Sequence, residues 1–322
     1  MPRHLGLPRP EPTVLIRQVL LSGLKSVDAE PAAQQRVLAM ETGFRRKVDD
    51  HVASLPQSDS SFEAFNTSPF VLLIHARQRS YSKVSEIERD ILPAKQLSSM
   101  ETSAGRMVEE VVFPVYGWEC VPSGMHTPYS ALDGKTRAGR KLLVASLKSG
   151  PRCLNDEMSE NLADAVVNNF ETWASDARAK EIDFTYGVLY GTKRQSNKKD
   201  WHILRNIDEK KRSSATVPPA GRWDSEFVDG GITVRAAARI GLDWWSYLGG
   251  ELCFLEVMTA LIRACIAPGQ ADATDYPYAI EDLGAIVSTE VVPDDYNVSL
   301  LQRSQIPWLF LMARHYCDHL VD

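Results

Sequence analysis

Residues 143–156 read LVASLKSGPRCLND, an apolar run that ends on a lysine and breaks at once into Ser-Gly-Pro. A short apolar run bounded by turn residues predicts a buried strand. A lysine at the end of such a strand must be solvated, paired or used, because an isolated ammonium is not left in an apolar interior. The following stretch, NDEMSENLADAVVNNFETWASDARAK (155–180), carries helical spacing, and IDFTYGVLYGT (182–192) reads as strand again. Strand, long helix, strand is the order of a crossover unit, so part of the sheet is expected to be parallel.

Around this unit the pattern predicts an α/β fold: a mixed central sheet flanked by helices, with a helical N-terminal region and a helical C-terminal extension. SALDGK (130–135), KLLVASLK (141–148) and DWHILRNI (200–207) read as further strands, rich in β-branched and aromatic residues. Residues 13–56 and 70–95 carry apolar residues at three- and four-residue spacing and read as helical. SSMETSAGRMVEEVVFPVYG offers Ser98, Ser99 and Thr102 as N-caps, with Pro114 at the break or end of that helix. A Pro- and Gly-rich link (217–231) leads to ITVRAAARIG, then to one strongly apolar helix over 242–266; the tail 296–320 reads as one more helix. The expected divisions are 1–95, 96–266 and 267–322.

Composition narrows the classes. The chain has 322 residues and a formal charge of −6, so bulk electrostatics do not favour a polyanion. Cys120, Cys153, Cys253, Cys265 and Cys317 are scattered without a CxxC pair, which suits a reducing cytoplasm. The first apolar run is cut by Arg17 and Gln18, so no signal-peptide core is expected, and nowhere do 18 apolar residues run together. Asn66 and Asn297 match the glycosylation sequon and are read as chance in that setting. Neither GxxxxGK[ST] nor GxGxxG occurs, so no nucleotide cofactor is expected.

The leading chemical pair is Asp133 and Lys148, fifteen residues apart and each near the end of an expected strand. Adjacent strands would bring both side chains to one end of the sheet. A carboxylate there can hold Mg²⁺, which pairs with substrate phosphates, and a neighbouring lysine can orient water and offset developing charge. The plain alternative is a strand-end ion pair.

SALDGKTRAGRKLLVASLKSGPRCLND resembles the core of the PD-(D/E)xK nucleases, specifically the type II restriction endonucleases. SSMETSAGRMVEE resembles the helix that leads into that core, and GLDWWSYLGGE a later segment of the group; together the likeness covers roughly residues 70–255. The resemblance implies Mg²⁺-dependent, sequence-specific hydrolysis of double-stranded DNA by a homodimer, with Asp133 as metal ligand, Lys148 acting on water and Glu109 in support. It makes residues 96–266 the nuclease core. One position departs: the acid two residues before the lysine is Ser146. Serine-bearing subfamilies take the missing carboxylate from the following helix, where Glu157 and Glu160 are the candidates and Glu160 the better fit. They also use an arginine at the position of Arg152 to read guanine, which arginine contacts through O6 and N7. The same Asn-bearing turn places Asn155 with the DNA-contacting residues. Two other readings stay open: a DNA-binding protein that has lost catalysis at Ser146, and a nuclease directed by DNA structure.

KRQSNKKDWHILRNIDEKKR (193–212) holds eight Lys and Arg against three acids and leaves the remainder of the chain at −11. A segregated basic run suits phosphate contact, through Lys193, Arg194, Lys198 and Lys199 first; the alternative is an ordinary charged turn. HYCDH (315–319) sets two histidines four apart but offers no third ligand, so a packed or frayed helix end is expected. Cys153 has no evident activating partner, and Trp244 and Trp245 are expected in the core.

Overall fold

The computed structural model describes residues 10–55, 69–122, 124, 127–211, 215–216, 223–267 and 280–322. Asn66 and Arg212 lie outside these residues. In chain order the helices are α1 (Arg17–Ala29), α2 (Pro31–Ser54), α3 (Pro69–Gln78), α4 (Glu88–Val115), α5 (Asp156–Ala177), α6 (Lys199–Lys210), α7 (Leu242–Gly249), α8 (Cys253–Cys265), α9 (Leu283–Val287) and α10 (Ile306–Arg314). The strands are β1 (Val14–Ile16), β2 (Glu119–Cys120), β3 (Gly134–Ala138), β4 (Lys141–Lys148), β5 (Glu181–Val188), β6 (Ala215–Thr216), β7 (Asp224–Asp229), β8 (Ile232–Ile240) and β9 (His319–Val321).

The central sheet is mixed, in the order β2-β3-β4-β5-β8-β7-β6. β4, β5 and β8 run parallel at its middle, and the outer pairs are antiparallel. Helix α5 is the crossover between β4 and β5. A central parallel strand is covered on both faces, which is why KLLVASLK reads as nearly continuous apolar sequence. Its residues still alternate: Leu142 and Val144 enter one core with Ile182, Phe184 and residues of α5 and α6. Ala145 and Leu147 enter the other, with α1, α2, α8 and α10. Ser146 and Lys148 therefore share the α5 face of the sheet.

Four expected elements differ. Of SALDGK only Gly134 and Lys135 are in a strand, at the start of β3, and residues 130–133 are not. Residues 200–207 form most of α6 rather than a strand, with Asp200, Ile203, Leu204 and Ile207 buried at one-turn spacing. The tail is helical only over α10, and its last residues pair parallel with β1 as β9. The apolar stretch 242–266 is two helices, broken at Gly250 (φ 88°). Trp244 and Trp245 are buried as expected, and the Trp245 indole donates to the Leu189 carbonyl at 3.0 Å.

The N-terminal helices are joined to α8 by one buried polar cluster. Arg36 of α2 donates twice to Glu256 of α8, at 2.6 and 2.7 Å, and the Tyr116 hydroxyl donates to the same carboxylate at 2.6 Å. Glu256 is fully buried. Removing the guanidinium leaves that charge with a single neutral donor, so Arg36→Ala is expected to cost about 2 kcal/mol. The check is a urea melt, with a lowered midpoint at unchanged slope.

Candidate active site

Asp133 stands immediately before β3, where β3 and β4 pair with Gly134 opposite Ala145. Its N–H donates to the Ala145 carbonyl at 2.8 Å, and its Oδ2 accepts the Leu147 N–H at 2.6 Å. The carboxylate is thereby held against β4 beside Ser146. It shares a pocket with Ser146 and Lys148, walled on the α5 side by Met158, Asn161 and Ala165.

Gly134 brings the third group in. A β-carbon there would come within 2.3 Å of the Phe113 ring, so only glycine lets α4 pack this closely on β3. Glu109 lies one turn before Phe113 on the same face of α4. It is close enough to Asp133 and Lys148 for both charges to act on it.

Burial dominates the electrostatics of the site. Burial, and then the Asp133 charge, push Glu109 up to about 7 from an ordinary 4.5. Burial also raises Asp133, against the Leu147 N–H, the Lys148 charge and the Ser146 hydroxyl, which favour its ionised form. Lys148 is half-buried and has no ion-pair partner within 4 Å among the described residues.

Glu160 is not in this pocket. Its side chain is 64% exposed and lies 3.8 Å from Lys210 of α6, which also binds Asp164 at 2.8 Å. Glu157 is exposed as well. The reason is helix phase: Ser159, Leu162, Ala163 and Val166 form the buried stripe of α5, with Met158, Asn161 and Ala165 on its site-facing flank. Each residue turns the helix by about 100°, so position 161 faces the pocket and 160 does not. Asn161 is a polar group that sequence spacing did not single out; the apolar phase of α5 was the available signal.

The turn after β4 has its own arrangement. Asn155 caps α5, its side chain accepting the Met158 N–H at 2.8 Å, so that oxygen is engaged in holding the helix. Arg152 is exposed, and its Nε donates to the Gln195 carbonyl at 3.0 Å.

The basic run is largely neutralised. Lys193 pairs with Asp243 at 3.3 Å, Lys199 with Asp156, Arg205 with Glu209 at 2.7 Å, Lys210 with Asp164 and Lys211 with Asp229 at 2.5 Å. Lys198 lies over the Trp223 ring at 5.2 Å and donates to the Lys193 carbonyl. Burial lowers its pKa. Arg194 has no ion pair among the described residues. His315 and His319 do not share a helix face: α10 ends at Arg314, and His319 is in β9.

A divalent cation fits the pocket by its donor chemistry. Mg²⁺ is held by one or two carboxylates and completes its shell with water and substrate oxygens. Asp133 and Glu109 are two carboxylates whose ionised forms burial disfavours, a cost that a bound cation would offset. No group of three or more His, Cys, Asp or Glu suited to a metal occurs among the described residues. No helix among the described residues is long and apolar enough to cross a membrane.

No curated protein matches the chain. Residues 72–207 match the family model of the type II restriction endonuclease EcoO109I, a span that contains Glu109, Asp133, Lys148 and all of α5. The likeness is to a type II restriction endonuclease and spans less than half of the chain.

Proposed function

We propose that the chain is a type II restriction endonuclease that hydrolyses phosphodiesters in double-stranded DNA at a short specific sequence, with Mg²⁺ as cofactor. The observation that carries this reading is the pocket that Asp133, Ser146 and a Lys148 without an ion pair among the described residues line together at one end of the β3–β4 pair, with Glu109 of α4 near enough for the charges of Asp133 and Lys148 to act on it.

Asp133 and Glu109 would hold the cation; Glu160, engaged with Lys210, takes no part in this assignment. A bound Mg²⁺ supplies polarisation of a phosphoryl oxygen and lowers the pKa of its water. The chain's own groups do the rest. Asp133 is fixed by the Leu147 N–H, so its free oxygen keeps one position. Lys148 presents an ammonium beside it, placed to donate to the attacking water or to a phosphoryl oxygen and to offset charge as the phosphorus gains its fifth oxygen. Water adds to phosphorus as its proton passes to bulk water, the ester bond opposite breaks, and the leaving oxygen takes a proton from bulk water. Ser146 is too weak a ligand to replace an acid, but its hydroxyl favours the ionised form of Asp133. Arg152 and Arg194 are the cations placed to meet DNA.

The homodimer belongs to the same reading. Cutting both strands of a two-fold site is done most simply by two copies. The apolar face of α3, with Phe70, Leu73 and Ile74 exposed, is the surface that favours self-association. The five free cysteines suit a cytoplasmic setting.

Plasmid incubated with protein is expected to give discrete fragments with Mg²⁺ and none with EDTA. A gel shift without cleavage favours a binding-only protein, and smearing favours a nuclease directed by DNA structure.

A further inference from the structure

We propose that residues 191–199 are the positioning element for Arg152, and that Asn197 is the positioning residue through which they set which base that arginine reads. The inference rests on the reading of the chain as a sequence-specific DNA-binding nuclease.

An exposed arginine at a turn ordinarily loses rotamer freedom on binding. Arg152 is held before any DNA arrives. Its Nε donates to the Gln195 carbonyl at 3.0 Å, and no partner for its two terminal nitrogens occurs among the described residues. The outer edge of the guanidinium is thus the edge left for a base. The turn that carries it is clamped on both sides by one residue of the same loop. The Asn197 N–H donates to the Pro151 carbonyl at 3.3 Å, and the Asn197 side-chain amide donates to the Leu154 carbonyl at 2.9 Å.

The loop itself is rigid for reasons in its sequence. Gly191 has φ 100°, and a β-carbon there would come within 2.7 Å of the Pro151 ring, so the two turns are pressed together. The Gln195 side chain accepts the Thr192 N–H at 3.0 Å, and the Thr192 hydroxyl donates to Asp318 at 3.1 Å. At the far end the Ser196 hydroxyl donates to Asp200 at 2.7 Å and accepts the Lys198 N–H at 2.8 Å. Asp200 is only 3% exposed, and its second oxygen has no partner among the described residues. A buried carboxylate of this kind makes sense as an anchor that fixes the loop.

Binding selection from a randomised duplex pool, with the full chain in Ca²⁺, reads base preference whether or not the protein cuts. Arg152→Lys marks the base pairs that Arg152 reads. Asn197→Ala is expected to relax preference at those same positions by about tenfold, the order of one bidentate contact, and to leave the others unchanged. The double variant is expected to add less than about twofold to Arg152→Lys alone, because Asn197 acts through Arg152. Relaxation at other positions, or weaker binding with preference unchanged, overturns the proposal. If Asn197→Ala does not fold, Asn197→Asp gives the same comparison: it keeps the acceptor for the Lys199 N–H and sets a carboxylate against the Leu154 carbonyl. A selected consensus without cleavage in Mg²⁺ overturns the nuclease reading alone. Cleavage at discrete sites with an unchanged Asn197→Ala preference overturns this inference alone, and the absence of any consensus overturns both.

Discussion

Lys148→Ala is expected to lower the rate of DNA cleavage by about 10³-fold, because it removes the positive charge beside Asp133 in the proposed site. The loss should be catalytic rather than structural. Lys148 makes no ion pair among the described residues, so its removal leaves no orphaned carboxylate behind. It is only half-buried, so truncation opens no core cavity, and melting should shift by less than about 1 kcal/mol. Asp133→Asn is the matching experiment on the other partner. Its amide oxygen still accepts the Leu147 N–H, so shape and register persist while the charge is lost. Single-turnover cleavage of a plasmid, followed alongside a thermal melt, separates the two outcomes. A Lys148→Ala protein that cuts at the wild-type rate sinks the site assignment, whatever the chain does.

The parts of this architecture that were legible from sequence are those set by local chemistry. An apolar run ending on Lys148, a capped helix at Asn155 and a second apolar run fix the β4–α5–β5 crossover almost by themselves. The errors arose where a local pattern has two readings. DWHILRNI is rich in residues that favour strands, yet Asp200, Ile203, Leu204 and Ile207 recur at helical spacing, and burial follows the spacing. The β1–β9 pairing joins residues about three hundred positions apart, and nothing local signals it. Helix phase explains Glu160: distance along the chain brought it near the site, but the stripe formed by Leu162 and Val166 turned position 161 inward instead. The basic run was legible only in part. Its sign is visible in sequence, but Asp243, Asp156, Asp164 and Asp229, which neutralise it, come from elsewhere in the chain.

Glu109 provides the sharpest test of the proposed cation site, because its protonation and cation binding compete for the same oxygens. Its carboxyl is raised to about 7 in the folded chain against an ordinary 4.5, so between those values the native state holds a proton that the unfolded state has lost. The stabilisation from this group is therefore full below about pH 4.5 and is lost as pH rises through about 7. Without metal, the chain should lose about 1–2 kcal/mol from this group between pH 5.5 and 8, a figure reduced to allow for solvent screening of a half-exposed carboxyl. A divalent cation reverses the sign, since it binds the ionised form and stabilises the fold where the empty site is weakest. Thermal melts with Ca²⁺ should accordingly show a larger upward shift at pH 8 than at pH 5.5. Glu109→Gln should flatten both the pH dependence of the metal-free melt and the cation-induced shift, and should lower cleavage by about 10²-fold. Comparing the variant with wild type at each pH removes the contribution of every other titrating group. A Glu109→Gln protein that keeps the full cation shift would place the cation elsewhere. In that case Asp133 would need a different second carboxylate, and the elevated pKa of Glu109 would reflect only its burial beside Asp133.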